Sequence, residues 1–203
     1  MTPRPTGVLW DVGNVIVGWD PRTLYSKIFP DPVQRDRFLD EVCTQAWHTE
    51  HDRGRSMAEG VAALSAQFPD HAPAINAWKD RWPEMFSGPI PETVQAINAL
   101  AARGAPMFGL TNMSAETAAE TFAMDPAFAH LQQIVVSGEV GLIKPDPRFF
   151  VLALERIGRS AESLLFIDDN PDNIAAATAL GFATHLFADP AALTPALEAF
   201  GLL

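Results

Sequence analysis

The sequence is short of cysteine, lysine and positive charge. Its 203 residues include a single cysteine, Cys43, so neither an intrachain disulfide nor a zinc cluster of several cysteines can form. Fourteen lysines and arginines, of which only three are lysines, are outnumbered by 25 aspartates and glutamates, and the formal net charge is −11. Because nucleic acids and anionic membranes are bound through basic faces, we expect neither as a partner.

The sequence also lacks long hydrophobic runs. No segment approaches the roughly 18 apolar residues that a membrane span needs, and the first residues show no apolar segment of a signal peptide. We therefore expect a cytoplasmic protein, monomeric or homodimeric, without a membrane partner. The composition, 48% hydrophobic and 19% charged, is typical of a compact domain with a large core.

Short apolar segments bounded by turn residues alternate with helical segments in much of the chain. The predicted strands cover residues 7–10, 107–110, 134–136, 164–167 and 183–187. The predicted helices begin at prolines and end near glycines, within residues 91–104, 146–158 and 170–181. This alternation predicts an α/β fold with a doubly wound, mainly parallel sheet, whose ligands bind at the carboxyl ends of the strands.

Residues 17–88 interrupt this alternation. The segment contains four of the five tryptophans and is interpreted as several amphipathic helices without a convincing strand. We therefore predict a core formed by residues 1–16 and 89–203 and an inserted helical cap formed by residues 17–88. Residues 86–89, which include Gly88 and Pro89, are predicted to form a hinge or linker.

Polar residues follow several of the predicted strands. They are Asp11, Thr111, Asn112, Lys144, Asp168 and Asp169. Each alone is typical of a turn, a helix cap or a surface charge. Together they indicate a site, because three carboxylates at one sheet edge repel each other unless a cation lies among them. Mg²⁺ accepts carboxylate ligands and usually contacts phosphate, and a lysine and a hydroxyl nearby would hold the same anion.

The motifs that contain these residues resemble those of the haloacid dehalogenase superfamily. The segment at 8–15 resembles the first motif, 110–112 the second, Lys144-Pro145 the third, and 166–169 with Asn173 the fourth. The resemblance covers the whole chain and includes a helical cap after the first motif, as in subfamily IA. Among its members, the sequence is most similar to phosphatases of the alpha-D-glucose-1-phosphate phosphatase type, which share an Asp-Xaa-Gly-Asn sequence.

The resemblance implies a role for each motif residue. Asp11 would be the nucleophile that forms an aspartyl-phosphate, and Thr111, Asn112 and Lys144 would bind the phosphoryl group. The implied Mg²⁺ ligands are Asp11, the Gly13 carbonyl, Asp168 and Asp169, and Asn173 would support them. The Rossmann-like core and cap imply a small phosphorylated metabolite as substrate.

Position 13 departs from the pattern of most phosphatases in the superfamily. Those phosphatases have a second aspartate at this position, which protonates the leaving group, whereas Gly13 has no side chain that could donate a proton. A cap residue could replace that acid, or the substrate could have an easily expelled leaving group. The polar cap segment 48–55 is the nearest source, with His48, His51 and Arg53 as candidate substrate-binding residues; an interhelical loop with local ion pairs explains the segment equally well.

These observations leave three functions open. The first is Mg²⁺-dependent hydrolysis of a small phosphomonoester, favoured to be a sugar phosphate, through Asp11. The second is a 2-haloacid dehalogenase, which Gly13 favours and the Asp168-Asp169 pair disfavours, because unneutralised carboxylates repel a carboxylate substrate. The third is a catalytically weakened protein that binds a phosphorylated ligand.

Overall fold

The computed structural model describes residues 4–203. Their central feature is a five-stranded, wholly parallel sheet. Its strands are β1 (Gly7–Trp10), β4 (Met107–Thr111), β5 (Gln133–Val136), β6 (Leu164–Asp168) and β7 (Ala183–Leu186). The strand order is β5-β4-β1-β6-β7, so β1 lies at the centre and the chain reverses direction across it. Such a switch point opens a crevice at the carboxyl ends of the central strands.

Helices cover both faces of this sheet. They are α6 (Pro91–Ala102), α7 (Ala115–Phe122), α8 (Pro147–Ile157), α9 (Pro171–Ala179) and α10 (Leu193–Ala199). Along β1, Val8 and Trp10 belong to one apolar cluster and Leu9 to another on the opposite face. Successive side chains of a strand point to opposite faces, so each strand contributes to both layers of the core.

Five more helices lie between β1 and β4. They are α1 (Pro21–Ile28), α2 (Pro32–Glu41), α3 (Gln45–Asp52), α4 (Met57–Gln67) and α5 (Ala72–Asp80). They enclose an apolar cluster of their own, in which Trp47, Trp78 and Trp82 are buried. The segment is referred to below as the cap.

The structure corrects two predictions about the ends of this segment. Two short strands, β2 (Val17–Trp19) and β3 (Phe86–Pro89), pair antiparallel where the chain enters and leaves the cap. The expectation of no strand in residues 17–88 was therefore wrong, and the supposed linker at 86–89 is half of a two-stranded ribbon. Strands this short, rich in glycine and proline, carry no alternating pattern that a sequence reading could detect.

The predicted α/β class and parallel sheet are confirmed. The five core strands match the predicted ones within one residue at each end. Within residues 4–203, the helices are too short or too polar to cross a bilayer.

Candidate active site

The three central strands end at the same edge of the sheet and bring the motif residues together. Asp11 directly follows β1, and Thr111 and Asp168 are the last residues of β4 and β6. The strands beside β1 are β4 and β6, so the side chains beyond their carboxyl ends converge. All three residues are buried.

Lys144 joins two of these strand ends. Its Nζ atom lies 2.7 Å from Oδ1 of Asp11 and 2.7 Å from Oδ2 of Asp168. The lysine side chain is 1% exposed, so the charges interact with little solvent screening. One cation between two carboxylates leaves the group with a net negative charge, to which the adjacent Asp169 adds.

The electrostatics of Asp11 reflect this imbalance. Burial raises the pKa of Asp11 to about 8, Lys144 opposes the rise, and the carboxylates of Asp168 and Asp169 add to it. For Asp11 to be ionised at neutral pH, the site therefore requires more positive charge than Lys144 alone provides.

The carboxylates fit a divalent cation. One oxygen from each of Asp11, Asp168 and Asp169 lies within 4.8 Å of the others. Carboxylate oxygens are the ligands that Mg²⁺ prefers, and a bound cation would allow all three groups to remain ionised. Gly13, whose carbonyl was predicted as a further ligand, lines the same cavity.

Asn173 and the start of α9 hold Asp168 in place. The Asn173 amide donates to Oδ1 and Oδ2 of Asp168 at 2.9 and 3.1 Å, and the backbone N–H of Asn170 donates to Oδ1 at 2.8 Å. Asp168 thus accepts hydrogen bonds from both helix α9 and Lys144. Asn173 therefore lies against Asp168, and its support of a metal ligand stays a prediction.

The Asn112 side chain holds the backbone of Lys144. Its Nδ2 donates to the Lys144 carbonyl at 3.0 Å, and its Oδ1 accepts from the Lys144 N–H at 2.8 Å. Asn112 also lines the cavity, so its substrate-binding role stays a prediction, and the two hydrogen bonds show in addition that its amide positions Lys144. The adjacent Thr111 lines the cavity and remains placed to contact a substrate.

A cavity of about 320 Å³ lies between this sheet edge and the cap. This is at the lower end of the range for small-molecule sites. Its core side includes Asp11, Thr111, Lys144 and Asp169, and its cap side includes Gln45, His48, Thr49 and Asp52. Three aromatic side chains, Trp19, Trp82 and Phe86, form part of its wall.

The predicted cap residues do not all reach this cavity. His48 lines it and stacks on Trp19, with ring centroids 5.0 Å apart. His51 instead packs inside the cap: its Nδ1 contacts the Arg55 carbonyl at 3.1 Å, and its ring lies over Gly60. Arg53 is exposed and lines a separate surface cleft with Asp146. The predicted substrate contacts of His51 and Arg53 are corrected, because His51 is packed inside the cap and Arg53 lies at a different surface cleft, so neither lines the cavity.

Asp52 is a cavity residue that the sequence reading did not single out. It is 5% exposed, and its Oδ2 lies 3.7 Å from Nε2 of His48 one helical turn earlier. Burial raises the pKa of Asp52 to about 7, which Lys144 opposes, and burial lowers the pKa of His48 to about 3, with His51 adding to the effect. The i, i+4 spacing of a histidine and an aspartate was the available signal.

Comparison with known proteins places the chain in a family. Residues 6–181 match the family model for haloacid dehalogenase-like hydrolases. The protein therefore belongs to the haloacid dehalogenase-like hydrolases, as its motifs indicated.

Curated proteins to which the chain is similar have different activities. The chain is 25% identical over 183 residues to the drimenol cyclase drtB of Aspergillus calidoustus, with 89% of this chain and 33% of that protein covered. It is 31% identical over 102 residues to a phosphatase of Mycobacterium tuberculosis (50% and 47% covered) and 32% identical over 97 residues to the (S)-2-haloacid dehalogenase of Pseudomonas putida (46% and 41%). The chain thus spans less than half of the length of these relatives.

Solved structures share the fold across nearly the whole chain. A predicted HAD-like family hydrolase from Porphyromonas gingivalis has a TM-score of 0.72 at 20% identity, covering 97% of this chain and 99% of that one. A HAD family enzyme from Bacteroides thetaiotaomicron, crystallised with magnesium and inorganic phosphate, has a TM-score of 0.68 at 17% identity, with 90% and 93% covered. At these identities the likeness concerns the fold alone.

Proposed function

We propose that this protein is a Mg²⁺-dependent phosphatase that hydrolyses a small phosphomonoester through an aspartyl-phosphate on Asp11. The observation that carries the proposal is the cluster of Asp11, Asp168 and Asp169, whose oxygens lie within 4.8 Å of one another beside a buried lysine. A cation held by these carboxylates would supply positive charge for the phosphoryl oxygens. Lys144 and Thr111 would contact the same oxygens from the protein side.

The cavity supports a small metabolite as the substrate. About 320 Å³ beneath a cap accommodates a small molecule and excludes a folded protein or a nucleic-acid duplex. The aromatic wall of Trp19, Trp82 and Phe86 would pack against the apolar face of a sugar ring, and Gln45 and Thr49 would offer hydrogen bonds to its hydroxyls. A sugar phosphate is therefore our preferred substrate class.

Phosphate release from p-nitrophenyl phosphate and a panel of sugar phosphates tests this proposal. We expect turnover with Mg²⁺, none with EDTA, and none for Asp11→Asn, which removes the nucleophile. Asp172→Asn is the matched control, because Asp172 is an exposed carboxylate on α9 outside the cavity. A folded wild-type protein that releases phosphate from no substrate in Mg²⁺ would overturn the proposal.

A 2-haloacid dehalogenase is the second candidate. Gly13, which has no side chain to act as an acid, favours it, because displacement of halide needs no proton donor. The clustered carboxylates disfavour it, since they repel a carboxylate substrate. Halide release from 2-haloacids that persists in EDTA would favour this function over the phosphatase.

A further inference from the structure

Gly13 leaves the proposed phosphatase without the acid that its position would otherwise supply. On the core side of the cavity, the carboxyl groups are those of Asp11 and Asp169, and both belong to the carboxylate cluster beside Lys144. A proton for the leaving group must therefore come from the cap side of the cavity or from water.

Among the described cap residues that line the cavity, Asp52 alone has a carboxyl group. It lines the same cavity as Asp11 and is 5% exposed. Its Oδ1 has no hydrogen-bond partner within residues 4–203, and its Oδ2 is 3.7 Å from the imidazole of His48. A buried carboxyl oxygen without a partner is costly, and a group bound in the cavity would supply the missing one.

The position of Asp52 is fixed by the core and not by the cap alone. The buried Ser137 hydroxyl donates to the Asp52 carbonyl at 2.6 Å. The same hydroxyl accepts from the N–H of Met113 at 2.9 Å, two residues after Thr111. One serine therefore connects the end of α3 to the loop that follows β4, and Asp52 is held opposite the phosphoryl-binding residues.

We propose that Asp52 is the general acid and base of this active site and that it replaces the carboxyl group absent at Gly13. The inference rests on the phosphatase function proposed above. It assigns a catalytic role to the cap beyond covering the substrate.

The proton transfers balance over two steps. In the first, an Asp11 oxygen attacks phosphorus, the bond to the leaving oxygen breaks with its electron pair, and that oxygen takes the proton of Asp52. In the second, the Asp52 carboxylate takes a proton from water, whose oxygen attacks the phosphorus of the aspartyl-phosphate. The Asp11–phosphorus bond breaks, the electron pair returns to Asp11, and inorganic phosphate leaves with Asp52 protonated again.

Asp52→Asn distinguishes an acid–base role from a structural one. Loss of an acid slows formation of the aspartyl-phosphate only for poor leaving groups, whereas loss of a base slows its hydrolysis for every substrate. For an alkyl phosphate, whose leaving group needs a proton, we expect the first turnover to slow about 10²–10³-fold. For p-nitrophenyl phosphate, the first turnover would stay within about tenfold of wild type, because p-nitrophenolate leaves without help. Hydrolysis of the aspartyl-phosphate would be slow with both substrates. With p-nitrophenyl phosphate we therefore expect a burst of p-nitrophenol and a phosphorylated protein in the intact mass spectrum.

Two further variants complete the test. Glu50→Gln is the matched control, an exposed carboxylate on the same helix outside the cavity; it should behave as wild type. Gly13→Asp in the Asp52→Asn background should recover activity on alkyl phosphates, because a Cβ at Gly13 meets no atom within 4 Å and the residue lines the cavity.

The outcomes separate this inference from the function on which it rests. If wild type releases phosphate and Asp52→Asn slows every leaving group equally without accumulating phosphorylated protein, or slows none, the role of Asp52 is overturned while the phosphatase stands. The same conclusion follows if Gly13→Asp restores nothing to a folded Asp52→Asn protein. If wild type and the Glu50→Gln control release no phosphate in Mg²⁺, both proposals are overturned.

Discussion

At the scale of single residues, Lys144 connects the two carboxylates on which the site depends. Its ammonium group lies 2.7 Å from both Asp11 and Asp168, and all three side chains are almost fully buried. A buried ion cluster of this kind contributes less to stability than its short distances suggest, because desolvation of the charges opposes their attraction. Removing one member is costly, because the remaining charges are left uncompensated.

We therefore expect Lys144→Met to lower the free energy of unfolding by about 3–5 kcal/mol in EDTA. Chemical denaturation measures this loss. Lys27→Met provides the control: Lys27 pairs with Glu84 at 2.8 Å but is 51% exposed, and exposed ion pairs contribute about 1 kcal/mol or less. Similar losses for the two variants would contradict the importance of the buried cluster.

His48 and Asp52 make opposite contributions to the pH dependence of stability. Burial lowers the pKa of His48 from 6.5 to about 3, so stability from this group is present above pH 6.5 and is lost as pH falls. Burial raises the pKa of Asp52 from 3.8 to about 7, so stability from this group is present below pH 3.8 and is lost as pH rises. Between about pH 4 and 6.5 the pair holds one proton in both the folded and unfolded chain, and the two contributions cancel.

Removing Asp52 should expose the contribution of His48. Relative to wild type, Asp52→Asn is expected to lose about 1.4 kcal/mol of unfolding free energy per pH unit below pH 6.5, or about 2 kcal/mol by pH 5. His48→Gln should show the opposite trend and lose stability as pH rises from 4 to 7. Lys144 and His51, the other charged or titratable groups near the pair, are present in all three proteins. Urea unfolding gives the free energy of unfolding of each protein as a function of pH. The same pH dependence for all three proteins would contradict the pKa changes.

At the scale of secondary-structure elements, the strands were predictable and the directions of the cap side chains were not. The three central strands β1, β4 and β6 are buried throughout and largely apolar, and a motif residue at or directly after the end of such a strand must lie at the sheet edge. On α3, in contrast, the spacing of His48, His51 and Asp52 places all three on one side of the helix. His48 and Asp52 line the cavity, whereas the His51 ring packs against α4.

Gly60 on α4 makes room for the His51 ring. A Cβ at this position would lie 2.0 Å from Cε1 of His51. Alanine favours a helix interior over glycine by about 1 kcal/mol, yet Gly60→Ala should destabilise the protein by about 1–3 kcal/mol, because overpacking of a buried site costs more than the propensity gains.

Thermal or urea unfolding of Gly60→Ala beside Ala62→Gly checks this prediction. Ala62 is exposed on the same helix, so its replacement by glycine should cost only the ordinary propensity difference of about 1 kcal/mol. A stabilised Gly60→Ala protein would mean that the His51 ring occupies another position.

At the scale of the whole molecule, the active site is assembled from two units with separate apolar clusters. Sequence order indicated that a cap exists, but not how closely it approaches the core, because that approach depends on contacts between distant residues. Its closeness is visible at Gly54, where a Cβ would lie 2.9 Å from the Gly138 carbonyl oxygen, and at Ser137, which contacts the Asp52 carbonyl. Such contacts leave no periodic trace in the sequence, and for this reason Asp52 could not be placed in the site from its spacing alone.

Mg²⁺ binding should stabilise the whole folded chain, because the carboxylate cluster is assembled only by folding. At a concentration 100 times the dissociation constant, a ligand specific for the folded state contributes about 2.7 kcal/mol, which for a protein of this size corresponds to a rise in Tm of about 5–10 °C.

Asp169→Asn should remove most of this rise, since Asp169 is the only exposed member of the three-carboxylate cluster and is not tied to Lys144 by a hydrogen bond within residues 4–203. Asp172→Asn, three residues further on and outside the cluster, should retain it. Differential scanning fluorimetry with and without Mg²⁺ measures both. An equal rise for the two variants would show that the stabilising cation binds elsewhere, whereas loss in Asp169→Asn alone would place it at the edge of the sheet where the three central strands end.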